Sequence, residues 1–389
     1  MRCSRFFVLM LAGLLLSGAA QALTANQTGQ ALQSLSGLGQ LEIKTEAGTT
    51  DMRATFQGFP LSAYLPAAPA HVLLMLDDAD LPPQRWPAQT GAAVIRLGGL
   101  TGSQLPAELN AAHLLLEALN KTDSPTPPLL AGNGVGGLAV ILLLERREPV
   151  VGGLSVCAPV SGWAAQVANL TDFRLVYDYF TRSLAGTRLT GLSDPVNTAT
   201  LPTPAQTAAS VDALFAGAPT IDRFNANLGQ IGDVTHVRAD AGAYRLLLDA
   251  YSREVPRWQA AYGGFPYNNA ATSYQSSMDD DPMNVGVART AAVAGLADQL
   301  KTLTPTGHWS QPLLTLHDLS DPLYSEDTEA VLRSRAGGSP LTQFTVQNVG
   351  SGGVRACDVP DDAVLSAYRT LQTWVAGGPK PPDRTLDAP

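Results

Sequence analysis

Leu129–Arg147 reads LLAGNGVGGLAVILLLERR: a short apolar run, a glycine-rich turn, then an apolar stretch of helical length. Strand, glycine turn, helix is the place where α/β proteins hold their chemistry. The turn fits two templates. One is the dinucleotide fingerprint G-x-G-x-x-G, met by Gly132, Gly134 and Gly137, whose glycines let a backbone approach a pyrophosphate at a helix N-terminus. The other is the nucleophile elbow G-x-S-x-G, met by Gly132, Gly136 and Gly137, with Gly134 where the serine belongs. The dinucleotide template also asks for an Asp or Glu at the end of the next strand. That strand, VVGGLSVCAPV, ends near Cys157 without an acid, and the turn follows the third buried strand, not the first. Dinucleotide binding through Gly132–Gly137 stays as an alternative.

Working outward, the pattern repeats. Leu41–Thr45 and Met52–Leu61 read as short strands around a Gly48–Asp51 turn. His71–Leu76 and Ala92–Leu97 are near-continuous apolar runs, as expected of strands buried on both faces. Leu105–Leu119 has helical spacing, and Val150–Val156 reads as a further strand. The alternation resumes with Pro312–Leu316, Ser325–Arg335, Thr342–Val349 and a closing helix, Asp361–Val375, ended by Gly377 and Gly378. Strands alternating with helices predict an α/β fold, a mostly parallel doubly wound sheet. Residues 162–305 interrupt it and read as a largely helical cap or lid. The predicted organisation is a signal peptide at 1–22, core at 23–161, cap at 162–305, core again at 306–382 and a tail at 383–389.

The 389 residues carry a formal net charge of −9, with 45% hydrophobic and 15% charged residues. That charge argues against nucleic-acid partners, which call for a basic face. Three cysteines are too few for a disulfide scaffold or a four-thiolate zinc site. At the N-terminus, Arg2 and Arg5 precede the apolar run Phe6–Leu16, too short for a bilayer core of about 30 Å. Ala20-Gln21-Ala22 then offers a cleavage site. The segment predicts export to the periplasm or the extracellular space, with no transmembrane segment in the mature chain. Cleavage would leave Cys157 and Cys357 in an oxidising compartment, which suggests one disulfide.

Five pieces extend the reading: HVLLMLDD at 71–78, AGNGVGGLAVILLLER at 131–146, LSVCAPVSG at 154–162, QPLLTLHDLSDPL at 311–323, and CDVPDDAVLSAYRTLQTWVAGGPKP at 357–381. Together they resemble the α/β-hydrolase family, specifically secreted bacterial members with a large cap, over nearly all of residues 40–382. The resemblance implies a Ser–acid–His triad in that chain order, acting by acyl transfer. It places the nucleophile at Gly134, the acid at Asp321 and the base at Ala356, beside Cys357. Glycine cannot attack and alanine cannot accept a proton. Asp321 alone is retained, and without partners it reads first as a loop cap before Pro322. No histidine follows His317; His71, His113, His236 and His308 all precede the acid. The oxyanion hole maps to Val135 and to the loop at Asp77 and Asp78, where two carboxylates would oppose a developing negative charge. Cys157 and Cys357, both expected near the C-terminal edge of the sheet, read as a disulfide pair rather than as nucleophiles.

These positions predict a degenerate member of the fold, a pseudoenzyme: a binding or scaffold protein of the cell envelope taking a small molecule or an envelope component. The alternatives are an active secreted esterase or peptidase with a non-standard site, and the dinucleotide binder. Tyr262, Phe265, Tyr267, Asn268 and Asn269 are candidates for lining its pocket, with packing of the cap as their other role. Asp279-Asp280-Asp281 reads as a solvated loop, with weak calcium binding as its alternative. No cofactor and no metal site are expected.

Overall fold

The computed structural model describes residues 25–46, 48–82, 85–121, 127–182, 195–216, 222, 240–274, 280–347 and 355–386. The signal segment at 1–22, His236 and Asp279 lie outside the described residues.

Ten strands form one sheet among the described residues. They are β1 (Glu42–Glu46), β2 (Thr49–Phe56), β3 (Phe59–Pro66), β4 (Val72–Asp78), β5 (Ala93–Leu100), β6 (Leu129–Asn133), β7 (Gly152–Val156), β8 (Leu313–Asp318), β9 (Leu341–Val346) and β10 (Arg384–Leu386). Their spatial order is β1-β2-β3-β5-β4-β6-β7-β8-β9-β10. The pairings β1·β2, β2·β3 and β3·β5 are antiparallel, and all later ones are parallel. From β2 to β9 this is the strand order of the α/β-hydrolase fold.

Sequence decides which strands sit where. In β4, β6, β7 and β8 every residue is buried, as continuous apolar runs require. In β3 buried residues alternate with more exposed ones, which suits a strand near an edge. The expected single strand Met52–Leu61 is two strands, because Gln57-Gly58 turns the chain with positive φ at both residues. The expected tail is also corrected: Arg384–Leu386 pairs with β9 as a tenth strand.

The helices are α1 (Ala25–Gln33), α2 (Leu105–Asn120), α3 (Val135–Glu145), α4 (Trp163–Thr181), α5 (Pro204–Ala216), α6 (Ala241–Tyr262), α7 (Asp280–Gly286), α8 (Leu296–Lys301), α9 (Asp327–Ala336) and α10 (Asp361–Val375). Along β4, Leu74 and Leu76 face one cluster with α2 and α3, whereas Leu73 and Met75 face the other with α10. The sheet is therefore covered on both faces. Between β7 and β8 the described residues contain helices but no strand, the region expected as a cap. Apolar side chains of α4, α5 and α6 join the same cluster as α2 and α3, so this region shares the core's apolar packing.

Two of these helices shape the site. α4 presents Trp163, Gln166 and Leu170 along one stripe, and α6 presents Leu246, Ala250, Arg253 and Glu254 along another. Asp240 fixes the start of α6 by accepting the Ala243 N–H at 2.9 Å, and left-handed Gly263 ends it.

Candidate functional site

The turn between β6 and α3 is a single residue. Gly134 holds φ +51° and ψ −123° at the head of α3, and its N–H donates to the Val156 carbonyl at 2.9 Å. Residues with a side chain rarely occupy this backbone region, and glycine enters it without strain. The chain thus turns sharply from β6 into α3 at a residue without a side chain. The neighbouring glycines have another purpose. A Cβ on Gly132 would lie 2.4 Å from the Gly136 carbonyl, and one on Gly136 would lie 1.9 Å from the Leu76 carbonyl. They let helix and strand approach closely, with no phosphate needed to explain them.

Asp78, at the end of β4, occupies the space that a side chain on Gly134 would take. A Cβ added to Gly134 would fall 2.3 Å from Asp78 Oδ2. The Val135 N–H, the donor expected to face an oxyanion, donates to that same Oδ2 at 2.9 Å. The Tyr324 hydroxyl donates to it at 3.2 Å, and the Asp80 N–H donates to Oδ1 at 2.8 Å. Burial pushes the Asp78 carboxyl up to about 6, opposed by the Val135 and Asp80 N–H groups. Asp77 does not share this place. Alternation along β4 turns it to the other face, where Arg96 Nη1 donates to its Oδ2 at 2.8 Å. The expectation of two carboxylates beside the oxyanion position is thus corrected to one.

Asp321 sits in the loop after β8, fully buried. Its Oδ1 accepts the N–H of Leu323 at 2.8 Å and of Tyr324 at 3.1 Å, and its Oδ2 accepts the Cys357 N–H at 2.9 Å. It caps its own loop and holds the segment that carries Ala356. Burial raises its carboxyl to about 7, with the nearby His317 charge working the other way. His317, buried inside, donates from Nδ1 to Glu329 Oε1 at 3.2 Å and from Nε2 to the Tyr324 carbonyl. Burial opposes its charge, yet Glu329 and Asp321 carry it up to about 9. His71 bonds Tyr368, His113 pairs with Glu148 at 2.9 Å, and His308 is exposed. None of these four described histidines lines the cavity below.

That cavity, about 260 Å³, opens between the turn and the α4–α6 region. Asp78, Val135, Ala356 and Cys357 line it, so the positions read as oxyanion hole and base meet in one space. Cys157 and Cys357 form a disulfide, with Cα atoms 5.5 Å apart. The aromatic and amide candidates are elsewhere. Tyr262 donates its hydroxyl to the Gly102 carbonyl at 3.2 Å, Phe265 packs on Trp258, and Tyr267 donates to Asp172 at 2.6 Å. Asn268 caps a turn at the Ala270 N–H, 2.9 Å away. None of the five lines the cavity; they pack and tie the cap. Asn269 is the strongest tie. It donates to Tyr274 at 2.8 Å and to the Ala288 carbonyl at 3.0 Å, and accepts the Thr290 N–H at 2.7 Å. Asn269→Ala is expected to lower unfolding free energy by about 2 kcal/mol, measured by urea melts, because buried partners are orphaned.

The sequence reading missed Tyr324, Trp163, Arg253 and Glu254, all of which line the cavity. Trp163 on α4 and Arg253 and Glu254 on α6 show ordinary helical periodicity, Tyr324 lies in the loop after β8, and only the fold turns them toward the cavity. Among the described residues no group of three or more His, Cys, Asp or Glu is arranged to hold a metal ion.

No family model and no curated protein matches the chain. Solved structures with a similar course include feruloyl esterase B from Aspergillus oryzae, 15% identical, TM-score 0.46, covering 86% of this chain and 81% of that one. Candida antarctica lipase A is 12% identical, TM-score 0.44, covering 92% and 86%. Est1E from Butyrivibrio proteoclasticus is 12% identical, TM-score 0.41, covering 84% and 99%. The strand order, not these distant likenesses, carries the fold.

Proposed function

We propose that this α/β-hydrolase-fold chain is a non-catalytic binding protein of the cell envelope, holding a small molecule or envelope component in the cavity beside Gly134. One observation carries the reading: the Asp78 carboxylate accepts the Val135 N–H where a nucleophile side chain and an oxyanion would stand. An oxyanion forming there would lose its donor and face a like charge. Two unit charges 4 Å apart repel by about 4 kcal/mol at an effective dielectric of 20. Gly134 supplies no nucleophile and Ala356 no base, so covalent acyl transfer has no route. Export is supported by the N-terminal sequence and by the Cys157–Cys357 disulfide, which suits an oxidising compartment. No helix among the described residues is long and apolar enough to cross a membrane. The dinucleotide alternative gains nothing from the geometry, since the N–H groups of Gly134 and Val135 are engaged by Val156 and Asp78.

The test is inertness followed by restoration. The purified protein is expected to leave short- and medium-chain p-nitrophenyl esters unhydrolysed and to resist labelling by a serine-reactive phosphonate. Turnover or labelling by the unaltered protein overturns the proposal. Gly134→Ser with Ala356→His should stay inactive, because the new Cβ collides with Asp78. Adding Asp78→Gly removes the collision and frees the Val135 N–H, and measurable ester turnover is expected from that triple variant alone.

A further inference from the structure

We propose that the cavity beside Gly134 takes a small organic cation, an amine on an apolar body, with its ammonium group held by Glu254 and Asp78. The inference rests on the non-catalytic binding reading and names its ligand class.

The charges around the cavity do not balance. Asp78, Asp80, Glu254 and Asp358 line it together with Arg253 and Arg355, and Glu108 stands behind the Thr101–Gly102 wall. Arg257 serves two of these carboxylates, donating to Glu254 Oε1 at 2.7 Å and to Asp80 Oδ2 at 2.5 Å. Arg253 approaches Asp80 at 3.8 Å. Arg253 and Arg257 therefore gather on Asp80, Arg355 lines the cavity from the segment that carries Ala356, and Asp78 and Glu108 have no guanidinium among these contacts.

Glu254 is 7% exposed, and its Oε2 has no hydrogen-bond partner among the described residues. Glu108 is fully buried, and its Oε2 likewise has none, while its Oε1 accepts the Thr101 N–H at 2.6 Å. Buried carboxylate oxygens without donors are costly and uncommon. An ammonium group offers three donors and one positive charge, which answers both the missing bond on Glu254 and the local excess of carboxylates. A neutral hydroxyl supplies a donor but no charge, and an anion supplies neither.

The remaining wall is apolar. Leu81, Trp163, Leu170, Leu246 and Leu323 face the same space. An aromatic face such as Trp163 also favours a cation nearby. The volume of about 260 Å³ sits just below the usual range for drug-sized ligands, so the guest is small.

Titration gives the sign of the pH dependence. Glu254 is pushed up to about 7 by burial, opposed by Arg257 and reinforced by Asp80 and Asp78. Asp78, which faces Val135, Asp80 and Tyr324, is pushed up to about 6, again by burial first. Glu108 is raised well above its ordinary range by burial, against the Thr101 N–H and with the charges of Asp78 and Glu254. Protonation of Glu254 and Asp78 removes the charge that holds the guest. Amine affinity should therefore be weak at pH 5 and rise through pH 6–8.

Calorimetric titration of the full chain with benzylamine, benzyl alcohol and benzoate at pH 8 tests this. Benzylamine is expected to bind at least tenfold more tightly than either analogue, and at least tenfold more tightly at pH 8 than at pH 5. Glu254→Gln, which keeps the side-chain shape, should remove most of the preference. Equal binding of benzyl alcohol, tighter binding of benzoate, or no amine binding overturns the inference using unaltered protein only. If the protein also hydrolyses esters, the non-catalytic reading fails with it. If it is inert to esters, only the cation inference fails.

Discussion

Gly136→Ala is expected to yield little native protein, and whatever folds should melt roughly 10 °C lower than the parent. The reason is distance. An alanine Cβ at this position would lie 1.9 Å from the Leu76 carbonyl oxygen and 2.6 Å from its carbon. Real Cβ atoms do not approach so closely, so either α3 or β4 must move. Neither moves easily. β4 is hydrogen-bonded on both sides, to β5 and β6, at Leu76 itself. α3 is buried along ten consecutive residues, Val135–Leu144. Overpacking a well-packed core commonly costs about 1–3 kcal/mol, and a clash with central-strand backbone belongs at or above the top of that range. For a chain of this size each kcal/mol lowers the melting point by about 2–4 °C. Gly338→Ala is the matched control: a Cβ there meets nothing within 4 Å. It should melt within a degree or two of the parent. A Gly136→Ala protein as stable as Gly338→Ala would show that helix and strand are less tightly apposed than drawn.

The legible parts of the fold are those where burial forces a pattern. β4, β6, β7 and β8 read correctly because both their faces are covered, so nearly every residue must be apolar. The Gln57–Gly58 turn was missed because Gln57 adopts a positive φ that its residue type does not advertise. β10 was missed for a different reason. Arg384 and Thr385 are exposed, and the strand is held by backbone pairing to β9, which leaves no apolar signature.

The site divides in the same way. Glycine at 134 and alanine at 356 are matters of residue identity, so the proposal that they replace a nucleophile and a base starts from the sequence. The role of Asp78 depends on its carboxylate reaching across to Val135, 57 positions later in the chain. No local pattern announces that contact. The aromatic-rich segment at 262–269 misled for a chemical reason. Tyrosine and asparagine suit a ligand, but they equally suit a buried polar lattice such as Tyr267, Tyr274 and Asn269 around Asp172. Composition does not distinguish the two uses; position relative to Gly134 does.

Cutting the Cys157–Cys357 link is expected to cost about 3 kcal/mol and to lower the melting point by roughly 10 °C. The bridge spans 200 positions, joining the end of β7 to the segment after β9. In the chain-entropy model a loop of that length contributes about 5 kcal/mol by restricting the unfolded state. Part of that is offset in the folded state. Cys157 and Cys357 hold φ at +44° and +52°, a region that costs a residue with a side chain about 1–2 kcal/mol. Once the bridge is gone, the segment carrying Cys357 can relax some of that strain, so the net loss falls below the full entropic value. The loss should extend to the site. Cys357 lines the cavity, and its N–H is held by Asp321 Oδ2. A looser segment weakens the cavity wall at Ala356 and Cys357 without touching Glu254. Cys157→Ser with Cys357→Ser should therefore bind benzylamine more weakly while keeping its preference over benzyl alcohol. Alkylation before and after reduction, read by intact mass, checks the premise: both thiols should react only after reduction. Reaction of both without reductant would show that no bridge is present, and the expected loss of stability in the double-serine variant would fall with it.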